Sequence, residues 1–324
     1  MQAQIIREFG GPEKMVFEDV PAPILGPGQI LIKVHAAGVN FADILMCQGH
    51  YQDTPNLPFT PGLEISGLVL ELGLGADGVS PGDKVMAKLV SGGFSETAVV
   101  DASACWLAPQ SLTMAQIAAF PIAYGTSHIA LTHRAKLKKG DVLMVHGAAG
   151  GVGLSAVEIG KAMGATVIAT AGSAEKLALT QEYGADFVIN YTTENIRDKV
   201  KEMTGGVDVV FDPVGGDVFK QSLRCMKPEG RIVIVGFAAG DIPQIPANHL
   251  LVKNVDILGF YWGGYAKFMP DIYRESFKEL SLMIERGQLR PHISHEFPLA
   301  DAPKALDLLA SRKSTGKVVI KVCD

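Results

Sequence analysis

The residues best placed to do chemistry are a run of small ones. Val142-Leu143-Met144-Val145 is a short apolar stretch, and His146-Gly147-Ala148-Ala149-Gly150-Gly151-Val152-Gly153 follows it at once. A strand that turns through such residues into a helix leaves backbone N–H groups bare at the helix N-terminus. A pyrophosphate can reach them there, where larger side chains would block it. Ala148-x-Gly150-x-x-Gly153 keeps the spacing of the dinucleotide fingerprint, with alanine in the first position. The bland alternative is an ordinary tight strand-to-helix turn; the strand before the run and the helix after it weigh against that.

The next predicted strand bears on which dinucleotide fits. Val167-Ile168-Ala169-Thr170 ends in Ala171-Gly172-Ser173, where sites for the unphosphorylated cofactor place an acidic side chain on the ribose hydroxyls. A small, uncharged end leaves room for a 2′-phosphate, and Lys176 follows on the next turn to neutralise it. Glu175 is acidic and close by, but a carboxylate in the first turn is accounted for by the helix dipole. Lys176 also reads as a plain surface lysine. The balance favours NADPH over NADH.

These residues need a scaffold. Strand and helix signals alternate from 141 onward: strands at 142–145, 166–170, 187–190, 207–211, 231–235 and 256–260, with helices near 152–163, 174–183, 195–203 and 217–225. Apolar strands alternating with amphipathic helices predict a parallel sheet covered on both faces, and six such strands match a dinucleotide-binding (Rossmann) sheet. The part before about 115 differs. Short β-type runs at 29–34, 65–72, 83–89 and 95–100 are separated by Pro27-Gly28, Pro61-Gly62, Pro81-Gly82 and Gly92-Gly93, which reads as a small barrel or folded sheet. The tail predicts helices at 270–286 and 302–310 and a final strand at 317–322, folding back onto the N-terminal half.

The totals fit two domains. The chain has 324 residues, 48% hydrophobic and 19% charged, with a net charge of −5, the composition of a compact soluble protein. That charge disfavours a nucleic-acid partner, which needs concentrated positive surface. The N-terminus is too polar for a secretory signal, and the apolar run at 117–131 is interrupted by Pro121, Gly125 and His128, so no membrane span is expected. The four cysteines, Cys47, Cys105, Cys225 and Cys323, lie far apart with no Cys-x-x-Cys pair. Neither a disulfide framework nor a structural zinc site is expected, and free thiols suit the cytoplasm.

Several further motifs carry a family resemblance: Ala36-Ala37-Gly38-Val39-Asn40-Phe41-Ala42-Asp43, Pro61-Gly62-Leu63-Glu64-Ile65-Ser66-Gly67, Gly184-Ala185-Asp186, Ile189-Asn190-Tyr191, Asp212-Pro213-Val214-Gly215-Gly216 and Gly316-Lys317-Val318-Val319, together with the run at 148–153. With these, nearly the whole chain resembles the zeta-crystallin-like NADPH:quinone oxidoreductases, within the medium-chain dehydrogenase/reductase superfamily. The resemblance implies a GroES-like barrel over 1–122, completed by 265–324, a Rossmann domain over 123–264, and a cleft where the two meet. It implies 2′-phosphate contacts at Ser173, Lys176, Tyr191 and Arg312, a pyrophosphate over Gly150, Gly151, Val152 and Gly153, and a nicotinamide side approached by Asn40, Thr126, Gly236, Phe237 and the stretch from Phe260.

The departures are as informative. Zinc-dependent relatives carry a cysteine and a Gly-His-Glu motif as ligands. This chain resembles them with Asn40 in place of the cysteine and Leu63 in place of the histidine, and it has no four-cysteine zinc lobe near 90–93. Those losses speak against a metal. Without a Lewis acid, simple ketones are poor hydride acceptors, whereas a quinone or enone spreads the incoming charge over a conjugated system, so hydrogen-bond donors suffice. The expected function is zinc-independent hydride transfer from NADPH to a quinone or other conjugated carbonyl. The rivals are an enoyl-thioester reductase and a non-catalytic NADPH-binding protein.

Candidate donors are few. Tyr51 matches the position where related enoyl-thioester reductases keep a proton-donating tyrosine, although it also reads as a packed tyrosine at the barrel edge. Asn40 is expected to orient the substrate carbonyl or the cofactor ribose, or only to stabilise its turn. Asp43 and Glu64 read as polar anchors of the barrel, and His50, His128 and His146 are given no acid–base role. In the aromatic run 260–265, Tyr261 and Trp262 are expected to wall the acceptor pocket. The edge strand before them is expected to form a homodimer seam.

Overall fold

The computed structural model describes residues 1–323. The chain forms two compact units, Met1–Ile122 joined by the segment that begins at Pro291, and Ala123–Arg290.

The second unit is built on a six-stranded, wholly parallel sheet. From one edge to the other its strands are Phe187–Asn190, Thr166–Ala171, Val142–Val145, Val207–Asp212, Met226–Ile234 and Asp256–Gly259. By chain position this order is third, second, first, fourth, fifth, sixth, the doubly wound arrangement of dinucleotide-binding sheets. All four residues of Val142–Val145 are buried, which is why that strand shows no apolar–polar alternation: helices cover both faces. Met144, Ile168, Ile189, Val210 and Ile232 pack with Phe219 of helix Gly216–Cys225 in one apolar cluster.

The boundary expected at 264/265 falls instead at 290/291. Helix Pro270–Glu285 buries Tyr273, Phe277, Leu280 and Ile284. The Trp262 ring lies 5.2 Å from that of Tyr273 and 6.4 Å from that of Phe277. His128 Nδ1 is 2.9 Å from Ser276 Oγ, and the carboxylate of Glu158 accepts the Arg290 N–H at 2.8 Å. The apolar stripe of this helix thus packs within the nucleotide unit, a choice that periodicity alone does not make.

In the first unit a long strand, Gln29–Gly38, organises a seven-stranded sheet. Glu64–Leu72 pairs with it antiparallel along one side. On the other side Thr97–Asp101 pairs with its first half and Lys317–Lys321 with its last residues. Register shifts after Leu31 and Val34 mark bulges that let the sheet curl. Ile293–Pro298 runs parallel to Lys317–Lys321, so the C-terminal segment completes the sheet as expected. Ile30, Ile32, Val34, Ile65, Val85 and Phe94 centre its core.

Candidate functional site

All six parallel strands of the nucleotide unit end at one edge, and the order reverses between Val142–Val145 and Val207–Asp212. In open sheets of this kind the crevice beyond the strand carboxyl ends at that reversal is where ligands sit. Gly150–Gly153, Ser173, Lys176, Tyr191, Gly236, Phe237 and Phe260 all follow strand ends at this edge. The fold therefore gathers residues spread over more than a hundred positions along one line.

Two glycines of the fingerprint do different work. Gly150 caps helix Gly151–Ala162 with extended backbone, and the first turn holds no acidic residue, which suits an anion at a helix start. A Cβ at Gly153 would lie 2.2 Å from the Gly147 carbonyl oxygen and 2.8 Å from Ala148 Cα, so only glycine lets the helix close onto its turn. A Cβ at Gly150 would meet nothing nearer than the Gly147 oxygen at 3.4 Å. The space in front of Gly150 is left open by the protein, as a backbone-lined pyrophosphate cradle requires.

One strand over, Ser173 caps helix Ala174–Glu182, its Oγ accepting the Lys176 N–H at 3.3 Å. Lys176 is half-buried and Glu175 is exposed. The Tyr191 hydroxyl lies against Gly172, where a Cβ would come within 3.0 Å of it. A hydroxyl, a capping serine and a lysine thus follow strand ends at which the turn Ala171-Gly172-Ser173 itself carries no carboxylate, residue types suited to a phosphate monoester.

Beyond the fifth strand, Gly236 is half-buried and Phe237 is 38% exposed. The Phe260 N–H donates to the Ile234 carbonyl at 3.1 Å. Thr126 is buried in helix Pro121–Ile129, and its neighbour Ser127 donates to the Val152 carbonyl at 2.8 Å. Trp262 sits in the interior of the unit. It is buried against Tyr273 and Phe277, and a Cβ on Gly125 would strike its indole at 2.6 Å. The aromatic run turns inward because helix Trp262–Phe268 packs on helix Pro270–Glu285; of the expected pair only Tyr261 stays at the surface.

In the other unit Asn40 caps helix Phe41–Cys47 inside a buried polar cluster. Lys317 Nζ donates to Asn40 Oδ1 at 2.7 Å, Glu64 Oε1 at 2.7 Å and the Val39 carbonyl at 2.8 Å. Asn40 Nδ2 donates to Glu64 Oε1 at 2.9 Å, and the other Glu64 oxygen accepts the Ile122 N–H at 2.8 Å. The Asp43 carboxylate accepts the N–H groups of Asn40 (2.8 Å) and Gly62 (3.2 Å). Burial pushes its pKa up to about 7, against the pull of those N–H groups and of Lys317. Asp43 and Glu64 are anchors, as their sequence context suggested. Lys317, quoted only within a motif, is the cation that satisfies them. Tyr51 is half-buried with its ring packed on the core of this unit, and Arg312 is exposed with a left-handed backbone (φ 57°).

Comparison with known proteins agrees with this architecture. Residues 151–282 match the family model described as zinc-binding dehydrogenase, and residues 26–110 match the alcohol dehydrogenase GroES-like domain. The chain is 46% identical to the quinone oxidoreductase-like protein 2 homolog of Nematostella vectensis, over 98% of this chain and 88% of that one. It is 35% identical to the quinone oxidoreductase of Sus scrofa, over 99% and 97%. The chain belongs to the quinone oxidoreductase branch of the medium-chain dehydrogenase/reductase superfamily. Among solved structures, the Escherichia coli quinone oxidoreductase complexed with NADPH superposes with a TM-score of 0.91 at 29% identity, covering 99% of this chain and 100% of that one.

Within this branch the departures from zinc-dependent dehydrogenases acquire a structural place. Asn40 belongs to the cluster held by Lys317, and Leu63 is buried among apolar side chains. Among the described residues, no three His, Cys, Asp or Glu side chains stand together in a way that would hold a metal ion. No helix of the described residues is long and apolar enough to cross a membrane. Two groups behind the nucleotide edge escaped sequence reasoning as structural devices. Asp212 Oδ1 accepts the N–H groups of Val214 (2.8 Å) and Gly215 (2.9 Å) and so shapes the loop after the fourth strand. His146 lies fully buried behind the glycine turn. An Asp three residues ahead of a Gly-Gly pair is a recognisable turn signal for the first; nothing local marks the second.

Proposed function

We propose that this oxidoreductase passes hydride from NADPH to a quinone or another conjugated carbonyl acceptor without a metal ion. The observation that carries the reading is the nucleotide edge: an open backbone cradle at Gly150, beside a strand end where Ser173, Lys176 and Tyr191 replace the usual carboxylate. Bound NADPH would supply the hydride. The chain's own share is to hold the pyrophosphate on the helix N-terminus and the 2′-phosphate on Lys176, which fixes where the rest of the cofactor must lie. Gly236, Phe237, Phe260 and Thr126 are assigned to the nicotinamide side. Asn40 is assigned to orient cofactor or acceptor, and Tyr51 to donate a proton to the reduced acceptor.

The acceptor class follows from chemistry and from relatives. Asn40 and Leu63 occupy positions that hold metal ligands in zinc-dependent relatives, so charge building on the acceptor oxygen must be met by hydrogen bonds and by conjugation. The Sus scrofa relative is named a quinone oxidoreductase, and the Escherichia coli one was solved with NADPH. Free cysteines suit a reducing cytoplasm. The uncovered edge strand Asp256–Gly259, near exposed Leu251 and Val252, supports a homodimer.

The test is steady-state NADPH oxidation by purified protein with 1,4-benzoquinone and crotonyl-CoA side by side. The quinone is expected to be the far better acceptor. A large preference for the thioester would overturn the assignment, and tight NADPH binding without turnover of any acceptor would point to a binding protein.

A further inference from the structure

His146 is the last residue before the glycine turn, and it is wholly inaccessible. Its imidazole nonetheless has partners on both nitrogens: Nδ1 lies 2.9 Å from Thr170 Oγ1 and Nε2 lies 2.7 Å from Ser222 Oγ. Ser222 Oγ spends its proton on the Val218 carbonyl at 2.8 Å, so it accepts from His146 Nε2–H. Burial lowers the His146 pKa, against a raising influence from Asp212, which keeps the ring neutral. A neutral ring protonated on Nε2 has a bare Nδ1, which accepts from the Thr170 hydroxyl. The outcome is a one-way chain from Thr170 through His146 to Ser222 and the helix Gly216–Cys225.

Thr170 is the hinge of this arrangement. It lies next to the end of strand Thr166–Ala171, directly before Ala171-Gly172-Ser173, the stretch assigned to the 2′-phosphate. Its carbonyl accepts the Ala148 N–H at 3.1 Å, so backbone and side chain both tie it to the glycine turn. The His146 N–H donates to the Phe211 carbonyl at 3.0 Å, fixing the turn from its other side. Neighbouring parallel strands ordinarily diverge once their ladder stops. Here a buried side-chain bond continues the connection beyond it.

We propose that His146 is a positioning residue that couples the pyrophosphate turn to the 2′-phosphate loop. Through Thr170 it holds the two at the spacing that a 2′-phosphorylated dinucleotide requires. The inference rests on the NADPH reading and adds a residue that touches neither phosphate. It predicts that breaking the link weakens ligands of either loop, because each loop loses its preset position and must be ordered on binding.

The test uses calorimetry with two fragments: ADP-ribose, which carries the pyrophosphate but no 2′-phosphate, and adenosine 2′,5′-bisphosphate, which carries the 2′-phosphate but only a single 5′-phosphate. Thr170→Val, which keeps the side-chain shape and deletes the hydroxyl, is expected to weaken both fragments about tenfold, the scale of one buried hydrogen bond. Thr170→Ser, which keeps the hydroxyl, is expected to restore both. Ser276→Ala, which removes a buried hydrogen bond to His128 elsewhere in the same unit, is the stability control. It is expected to lower Tm comparably and leave fragment binding unchanged. Unaltered binding in Thr170→Val, loss of one fragment only, or equal weakening by Ser276→Ala would overturn the coupling. Wild-type protein that bound neither fragment nor NADPH would instead sink the cofactor reading, and this inference with it.

Discussion

In the nucleotide unit the groups proposed to meet the ligand are bare N–H groups and small residues following one another along the chain. In the other unit, Asn40, Asp43, Glu64 and Lys317 reach one buried point from segments as far apart as 277 positions. The first kind of site is backbone made accessible; its requirement is the absence of side chains, and one short stretch can meet it. The second is made of charged side chains out of water, and each depends on the others being present. Deleting Cβ atoms is a local matter, whereas neutralising a buried charge is a collective one. The two sites should therefore fail differently: the polar cluster through folding, the cradle through binding.

The largest expected effect tests the collective site. Lys317→Met leaves the Glu64 carboxylate buried without its cation and should cost about 3–5 kcal/mol in urea unfolding. Adding Glu64→Gln should recover part of that loss, since the two positions are coupled. A single-variant loss below about 1 kcal/mol would break the comparison.

A second buried carboxylate sharpens it from within the nucleotide unit. Glu158 accepts the Tyr124 hydroxyl and the Arg290 N–H. Burial pushes its pKa up from 4.5 to about 7, opposed by those two hydrogen bonds and the Arg290 charge. The native state therefore binds more protons than the unfolded chain between those values. The stability this group confers is present below about pH 4.5 and lost as pH rises through 7. Glu158→Gln abolishes that dependence, so the variant should gain on wild type by about 2–3 kcal/mol between pH 5 and pH 8. A parallel pair of stability–pH curves would show that Glu158 is ionised throughout.

The glycines separate folding from binding within a single turn. Gly153→Ala forces a Cβ against the Gly147 oxygen and should lower stability by about 1–3 kcal/mol. Gly150→Ala should unfold like wild type and bind NADPH about tenfold more weakly, the methyl group taking the ligand's space. If both variants lost stability equally, the open space in front of Gly150 would have no functional meaning. An effect of the same size concerns selectivity: Lys176→Ala should weaken NADPH binding about tenfold and leave NADH nearly unchanged. Equal losses for the two cofactors would remove Lys176 from the 2′-phosphate.

The nucleotide unit was largely legible in the sequence. The fingerprint, the uncharged end of the second strand and all six strands follow from glycine placement and apolar runs, because parallel strands buried on both faces leave uninterrupted apolar stretches. Other features were less so. Tyr191 emerged only through family resemblance, since a tyrosine after a strand is unremarkable until Gly172 is found beneath its hydroxyl. Trp262 was ambiguous, because a Trp beside glycines reads equally well as pocket wall or core, and its packing on Tyr273 and Phe277 shows only in the structure.

Local sequence alone determined where the backbone would be left bare at a helix start and where the chain would alternate between strand and helix, since both depend on residues a few positions apart. Tertiary structure alone decided that helix Pro270–Glu285 packs within the nucleotide unit, that Lys317 neutralises Glu64, and that His146 joins Thr170 to Ser222. Each of these is a pairing of buried groups far apart in the chain. A buried group's partner is chosen by desolvation and packing, which exist only once the chain has closed on itself.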